Sequence, residues 1–156
     1  VELAGRELRA NHWLEWNWPN STLSPFLATD FDGVLCRDLP PQTNWANHAE
    51  YAAAIAAALP LYLMRRSPIP LVVTARPDSM RGATRDWCER HGVTIERLEM
   101  WGGGARSQAA IAAWKAEVYG RSNLAIYVES DPVLAAKIWQ HCRRPVLCPA
   151  SETVWQ

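Results

Sequence analysis

From Pro25 onward, five short apolar runs alternate with longer helix-like segments, and this alternation leaves few folds open to the chain. The runs are Phe26–Thr29, Ile69–Thr74, Val93–Met100, Leu124–Val128 and Pro145–Cys148. Between them, the alanine-rich stretch Trp45–Leu59 has no internal Gly or Pro and is closed by Pro60, which predicts a helix. Pro77 is placed to open a second helix running to His91, with Gly92 as its stop. Gln108 to Tyr119 predicts a third, ended by Gly120, and Pro132 to Cys142 a fourth. Strands separated by helices imply a parallel sheet covered on both faces, and right-handed crossovers restrict it to doubly wound topologies.

A length of 156 residues suits one domain. With 49% hydrophobic and 21% charged residues, the chain has enough apolar material for a core. Sixteen basic residues balance sixteen acidic ones, which argues against a general nucleic-acid sleeve, because such binders need a basic excess to neutralise phosphates. No apolar stretch is long enough to span a membrane. The start, Val1-Glu-Leu-Ala, has no basic-then-apolar leader, so a cytoplasmic location is expected, and the missing initiator Met suggests a processed or excised chain. Cys36, Cys88, Cys142 and Cys148 form no CxxC pair and read as thiols of a reducing compartment; His141, Cys142 and Cys148 fit no zinc ribbon or finger. Residues 1–24, with Trp13, Trp16 and Trp18 close together, read as an arm preceding a domain over residues 25–156.

In an open parallel sheet, ligands bind beyond the carboxyl ends of the strands. The first run delivers Asp30 and Asp32, followed by Gly33. The second delivers Thr74, with Arg76 just beyond, and the fourth delivers Glu129, Ser130 and Asp131. Lys115 lies on the helix feeding that fourth run. Acids, a hydroxyl and a cation thus gather at one edge. Two aspartates at i and i+2 leaving a buried strand repel each other, and a hard divalent cation such as Mg²⁺ relieves that repulsion; a pair of turn-capping acids is the plainer alternative. Gly33 permits a tight departure of the backbone.

Phe26-Leu-Ala-Thr-Asp30-Phe-Asp32-Gly-Val-Leu resembles the first motif of the haloacid dehalogenase superfamily of phosphohydrolases. Leu71-Val-Val-Thr74 is similar to its second motif, Lys115 to its third, and Ile126-Tyr-Val-Glu129-Ser-Asp131 to its fourth, although the usual pattern has Asp where Glu129 stands. The resemblance covers Pro25 to Cys148. It implies a three-layer, Rossmann-like α/β/α domain with a parallel five-stranded sheet of order 3-2-1-4-5. It also implies Asp30 as nucleophile, Asp32 as general acid and base, Thr74 and Lys115 on the phosphoryl group, and Mg²⁺ held by Asp30, Asp32 and Glu129 or Asp131. Gly33 and Arg76 fall on the substrate side. Leu14-Glu-Trp-Asn17 together with these motifs looks like a bacterial and phage subgroup often joined to, or encoded beside, a phosphoribosyltransferase.

The intervals after Leu35 and after Thr74 leave no room for a large cap, so an open site is expected, serving a nucleotide, a phosphorylated polynucleotide end or a phosphoprotein. The alternative is a non-catalytic regulatory or interaction module accompanying a phosphoribosyltransferase. Only two of the sixteen basic residues are Lys, so Lys115 has almost no competitor for its role; Lys137 reads as surface. Arg81 and Arg85 share a helical face and suit either a second phosphate or surface pairs with Asp78 and Glu89. Gly102-Gly103-Gly104 lacks dinucleotide-binding spacing. Cys36 reads as packing. Trp87, Trp114 and Trp139 read as core, whereas Trp45 and Trp101, near the active edge, are placed to stack on a substrate ring.

Overall fold

The computed structural model describes residues 2–3, 6–7, 18–64, 67–104 and 106–156. Two-residue strands β1 (Glu2–Leu3) and β2 (Arg6–Glu7) pair antiparallel. The main sheet contains β3 (Leu27–Thr29), β4 (Ile69–Pro77), β5 (Ile95–Trp101), β6 (Ile126–Val128), β7 (Val146–Cys148) and β8 (Thr153–Trp155), in the order β5-β4-β3-β6-β7-β8. Five strands are parallel in the expected order, and β8 adds a sixth, antiparallel to β7 at the edge. That last strand is a correction to the five-stranded expectation. It is three residues long and follows the Pro149–Glu152 turn, which is too short a span for alternation to register in the sequence.

Among the described residues, four helices cover the sheet: α1 (His48–Ala57), α2 (Arg81–His91), α3 (Gln108–Gly120) and α4 (Pro132–Cys142). Their starts follow capping chemistry. The Asn47 side chain accepts from Glu50 N–H, Ser107 from Ala110 N–H, and Asp131 from Val133 and Leu134 N–H. Gly92 ends α2 at φ 66°, as its place after His91 predicts. Pro77 closes β4 instead of opening a helix, and a 3-10 turn over Asp78–Met80 separates it from α2.

Alternation along the strands splits the core into two layers. Leu27, Val72 and Val128 pack with Phe31, Tyr51, Ile55 and Trp87 on one face. Ala28, Leu71, Val73 and Tyr127 pack with Ala112, Ala116, Tyr119, Ala135 and Ile138 on the other. The sheet is thus sandwiched, a three-layer α/β arrangement compatible with a Rossmann-like fold. Trp87 is fully buried, packs edge-on against Phe31 at 5.1 Å, and donates to the Ala58 carbonyl at 2.7 Å. Trp114 and Trp139 are half-buried against the second layer. Of the tryptophan-rich arm, Trp18 is buried in the first layer, edge-on to Tyr62 at 5.6 Å. Trp13, Leu14, Glu15, Trp16 and Asn17 lie outside the described residues.

Between β3 and β4 the chain forms turns and α1, and between β4 and α3 it forms α2 and β5. Among the described residues no helix is long and apolar enough to cross a membrane.

Candidate active site

Register fixes the geometry of the carboxyl edge. Central strand β3 pairs in parallel with β4 on one side and β6 on the other, setting Thr29 against Val72 and Val128. Asp30 N–H donates to the Val128 carbonyl at 2.8 Å, and Glu129 N–H to the Leu147 carbonyl at 2.9 Å. Asp30 and Glu129 therefore leave neighbouring strands at one level, and Thr74, still within β4, stands one residue further along. A cleft of about 240 Å³ opens there, its wall including Asp30, Asp32, Thr74, Arg76 and Lys115. A larger cavity of about 330 Å³ lies at the opposite edge, lined by Trp18, Leu27, Ile126, Leu147 and Val154 and by no charged side chain.

Lys115 reaches the site from the middle of α3. Its side chain is fully buried, and Nζ stands 2.7 Å from Asp30 Oδ2 and 2.7 Å from Glu129 Oε2. Burial pulls its pKa down, but the two carboxylates outweigh burial and hold it above the ordinary lysine value, so the ammonium stays charged. Asp30 Oδ1 accepts from Phe31 N–H at 2.7 Å, and Glu129 Oε1 from Asp131 N–H at 3.2 Å. Burial, followed by the Asp30 charge, pushes the Glu129 carboxyl up to about 8, with Lys115 acting against the rise. The cluster thus has two acids for one cation.

Asp32 turns to a different partner. Arg76 Nε donates to its Oδ2 at 2.9 Å and Nη2 to its Oδ1 at 2.6 Å, a bidentate fork. The guanidinium is buried over the Phe31 ring at 4.1 Å and also donates to Thr84 Oγ1 at 3.2 Å. Thr74 Oγ1 accepts from the Arg76 backbone N–H at 3.2 Å, which directs its hydroxyl proton elsewhere. Cys36 lies beneath this network, its Sγ 3.4 Å from Asp32 Oδ1 and 3.4 Å from Arg76 Nη2.

Gly33 and Asp131 play supporting parts and lie off the cleft wall. Gly33 has φ 71°, and a Cβ there would fall 2.3 Å from Ser130 Oγ, so the turn after Asp32 needs glycine both for its dihedral and for its contact. Ser130 Oγ donates to the Asp32 carbonyl at 3.1 Å, tying the first and fourth motifs together. Asp131 caps α4 through Oδ1, and its Oδ2 accepts from Gln108 at 3.3 Å.

Among the described residues, no group of three or more His, Cys, Asp or Glu side chains converges to hold a metal. Mg²⁺, however, is commonly held through one or two carboxylates, with water and substrate phosphate completing the octahedron. Asp30, Glu129 and the Asp32 carbonyl offer only oxygen donors, and the two acids outnumber Lys115, so the donor chemistry suits the ion, with Glu129 fully buried behind the cleft wall.

The cleft also contains groups that the motifs do not announce: Asp38, Leu39, Tyr51 and Arg106. Burial, with Asp32, Asp30 and Asp131 next, raises the Asp38 carboxyl above its usual range. Asp38, Leu39 and Arg106 occupy loops with no periodicity and Tyr51 is a buried residue of α1, so none of them carries a sequence signal for the cleft. Trp45 lines the cleft as its position suggests, whereas Trp101 is buried edge-on against Trp114 at 5.3 Å and does not line it. Arg81 pairs with Asp78 and donates to the Leu98 carbonyl, and Lys137 donates to Gln108.

No family model, no curated protein and no solved structure matches the chain.

Proposed function

We propose that the protein is a Mg²⁺-dependent phosphohydrolase working through an aspartyl-phosphate on Asp30. The observation that supports this most directly is the buried Lys115 ammonium at 2.7 Å from Asp30 Oδ2, beside Thr74 in the same cleft. Lys115 at Oδ2 and the Phe31 N–H at Oδ1 orient the Asp30 carboxylate at the cleft wall. A carboxylate oxygen of Asp30 attacks the phosphorus of a phosphomonoester, the bond to the leaving oxygen breaks, and Asp32 supplies that leaving oxygen with a proton. Thr74 donates its hydroxyl proton to a phosphoryl oxygen. Water then attacks the acyl phosphate with Asp32 taking its proton, which releases phosphate and restores Asp30.

Asp30, Glu129 and the Asp32 carbonyl would hold Mg²⁺. Bound there, the ion supplies electrostatic stabilisation of the charge on the transferring phosphoryl group. The Arg76 fork holds both Asp32 oxygens in the free protein, so Asp32 must be released at one oxygen before it can serve as acid. Arg76 can shift its second N–H group to the incoming phosphoryl group.

Phosphate release from nucleotides, sugar phosphates and phosphorylated oligonucleotides, measured with Mg²⁺ and with chelator, tests this beside Asp30→Asn. Turnover that requires Mg²⁺ and disappears in the variant is expected; turnover that survives Asp30→Asn overturns it. The second reading, a non-catalytic module accompanying a phosphoribosyltransferase, is favoured by the closed Arg76–Asp32 pair and by Glu129 in place of Asp. Absence of turnover on every substrate would select it. The four free thiols suit a reducing compartment such as the cytoplasm.

A further inference from the structure

One side of the cleft is not used by the phosphoryl chemistry. Trp45, in the loop between β3 and α1, is 47% exposed and lines the opening. Tyr51 on α1 braces this indole edge-on, with ring centroids 4.6 Å apart. Arg106 stands over the same indole, its Cζ 5.4 Å from the ring centroid, while its Nη2 donates to the Ala75 carbonyl at 2.9 Å. This anchors the guanidinium one residue beyond Thr74.

Charge pairing separates Arg106 from the other two cations of the cleft. Arg76 is matched by Asp32, and Lys115 by Asp30 and Glu129. Among the described residues no carboxylate forms an ion pair with Arg106. The Tyr51 hydroxyl on the same wall is fully buried and meets no well-aligned hydrogen-bond partner, while Arg106, through its charge and a side-chain contact, lowers the hydroxyl's pKa against the rise caused by burial. An exposed indole, a guanidinium without a carboxylate partner and a buried hydroxyl without a well-aligned bond lie on one side of the cleft and form a set of recognition groups.

We propose that Trp45, Arg106 and Tyr51 form the leaving-group subsite for a nucleoside monophosphate. Arg106 takes a phosphoryl oxygen beside Thr74, where its planar fork matches phosphate. The base stacks on the outer face of Trp45, which Tyr51 keeps from turning. The Tyr51 hydroxyl bonds the sugar between them. A cleft of about 240 Å³ takes the phosphate and sugar and leaves the base at the rim, where Trp45 is exposed. A sugar phosphate or a phosphoserine would leave the indole without a planar partner, and stacking on an aromatic side chain contributes about tenfold or more in affinity per base. The position of the phosphate rests on the phosphohydrolase proposal, and the test separates the two.

The full chain carrying Asp30→Asn is titrated by calorimetry, in Mg²⁺, with adenosine 5′-monophosphate, ribose 5-phosphate and a phosphoserine peptide. Turnover of the same three compounds is followed with the unsubstituted protein. The nucleotide is expected to bind about tenfold more tightly than ribose 5-phosphate. Trp45→Ala should abolish that ratio, Trp45→Phe should keep most of it, and Arg106→Ala should weaken both ligands. Equal affinities, tighter binding of the peptide, or a nucleotide preference that survives Trp45→Ala would overturn the subsite. Asp30-dependent turnover without a base preference overturns the subsite alone. Base-dependent binding without turnover of these compounds or of phosphorylated oligonucleotides supports the subsite and overturns the phosphohydrolase.

Discussion

Arg76 grips both oxygens of Asp32, Nε to Oδ2 at 2.9 Å and Nη2 to Oδ1 at 2.6 Å, and the two sides of the pair differ sharply in burial. The Arg76 side chain is 1% exposed and that of Asp32 is 24% exposed. Removing Asp32 strands a buried guanidinium, whereas removing Arg76 strands a carboxylate that water can reach.

Stability should follow that asymmetry. Asp32→Ala is expected to cost about 3–5 kcal/mol, the usual result of leaving a buried charge unpaired. Arg76→Met, which keeps the volume, should cost less. Urea unfolding of the two variants checks this, and equal losses, or a larger loss in Arg76→Met, would contradict it.

The Glu129 carboxyl gives the protein a pH dependence of unusual sign for an acid. Its folded pKa is raised to about 8 from an ordinary 4.5 by burial and by Asp30, so the folded state binds its proton more tightly than the unfolded state does. The stability contributed by that proton is complete below the unfolded value and declines as pH rises toward 8. With chelator present, the urea midpoint should fall between pH 5 and pH 8, and Glu129→Gln should flatten the decline. A midpoint that rises over this interval would contradict the charge balance assigned to the Lys115 cluster.

Gly33→Ala should be costly for two separable reasons. Its φ of 71° strains any side chain, and its Cβ would collide with Ser130 Oγ at 2.3 Å and Ser130 Cβ at 2.5 Å. The dihedral alone accounts for about 1–2 kcal/mol. Ser130→Gly removes the colliding atoms, so a double-mutant cycle should recover the steric part and leave the dihedral part. Strictly additive losses would show that the close approach does not matter.

The thiols should differ in reactivity. Burial, followed by the Asp32 charge, raises the Cys36 thiol far above its ordinary range, and burial raises Cys88 to about 11. Both remain protonated at pH 8, and the thiolate is the reactive form. Half-buried Cys142 should therefore react first with a disulfide reagent on the native protein. Fast labelling of Cys36 would show that the network around Arg76 opens readily.

The central strands were legible in the sequence because buried parallel strands read as continuous apolar runs between helix signals, whereas their order came from the family resemblance. Leu27–Thr29 and Ile126–Val128 are such runs, and each hands its last residue to an acid. Strand β8 was not legible, because Thr-Val-Trp is too short to display a period. The convergence of Asp30 and Thr74 was also legible, since strands place side chains by topology, whereas Lys115, in the middle of α3, was marked by the family resemblance and by the scarcity of lysine. Pairing was not. Whether Asp32 meets a cation, and which one, depends on side-chain reach across β3 and β4, which spacing does not encode. Arg106 was hidden for the same reason: it becomes a cleft residue only through its bond to the Ala75 carbonyl, 31 residues earlier in the chain.

The nucleophile assignment is tested most directly by trapping the covalent phosphoryl group. The protein is incubated with Mg²⁺ and a ³²P-labelled phosphomonoester that it turns over, quenched in acid and digested, and the labelled peptide is identified. Label on the peptide containing Asp30, absent in Asp30→Asn and discharged by hydroxylamine as an acyl phosphate requires, is the expected result. Turnover without label, or label on another residue, would contradict the account.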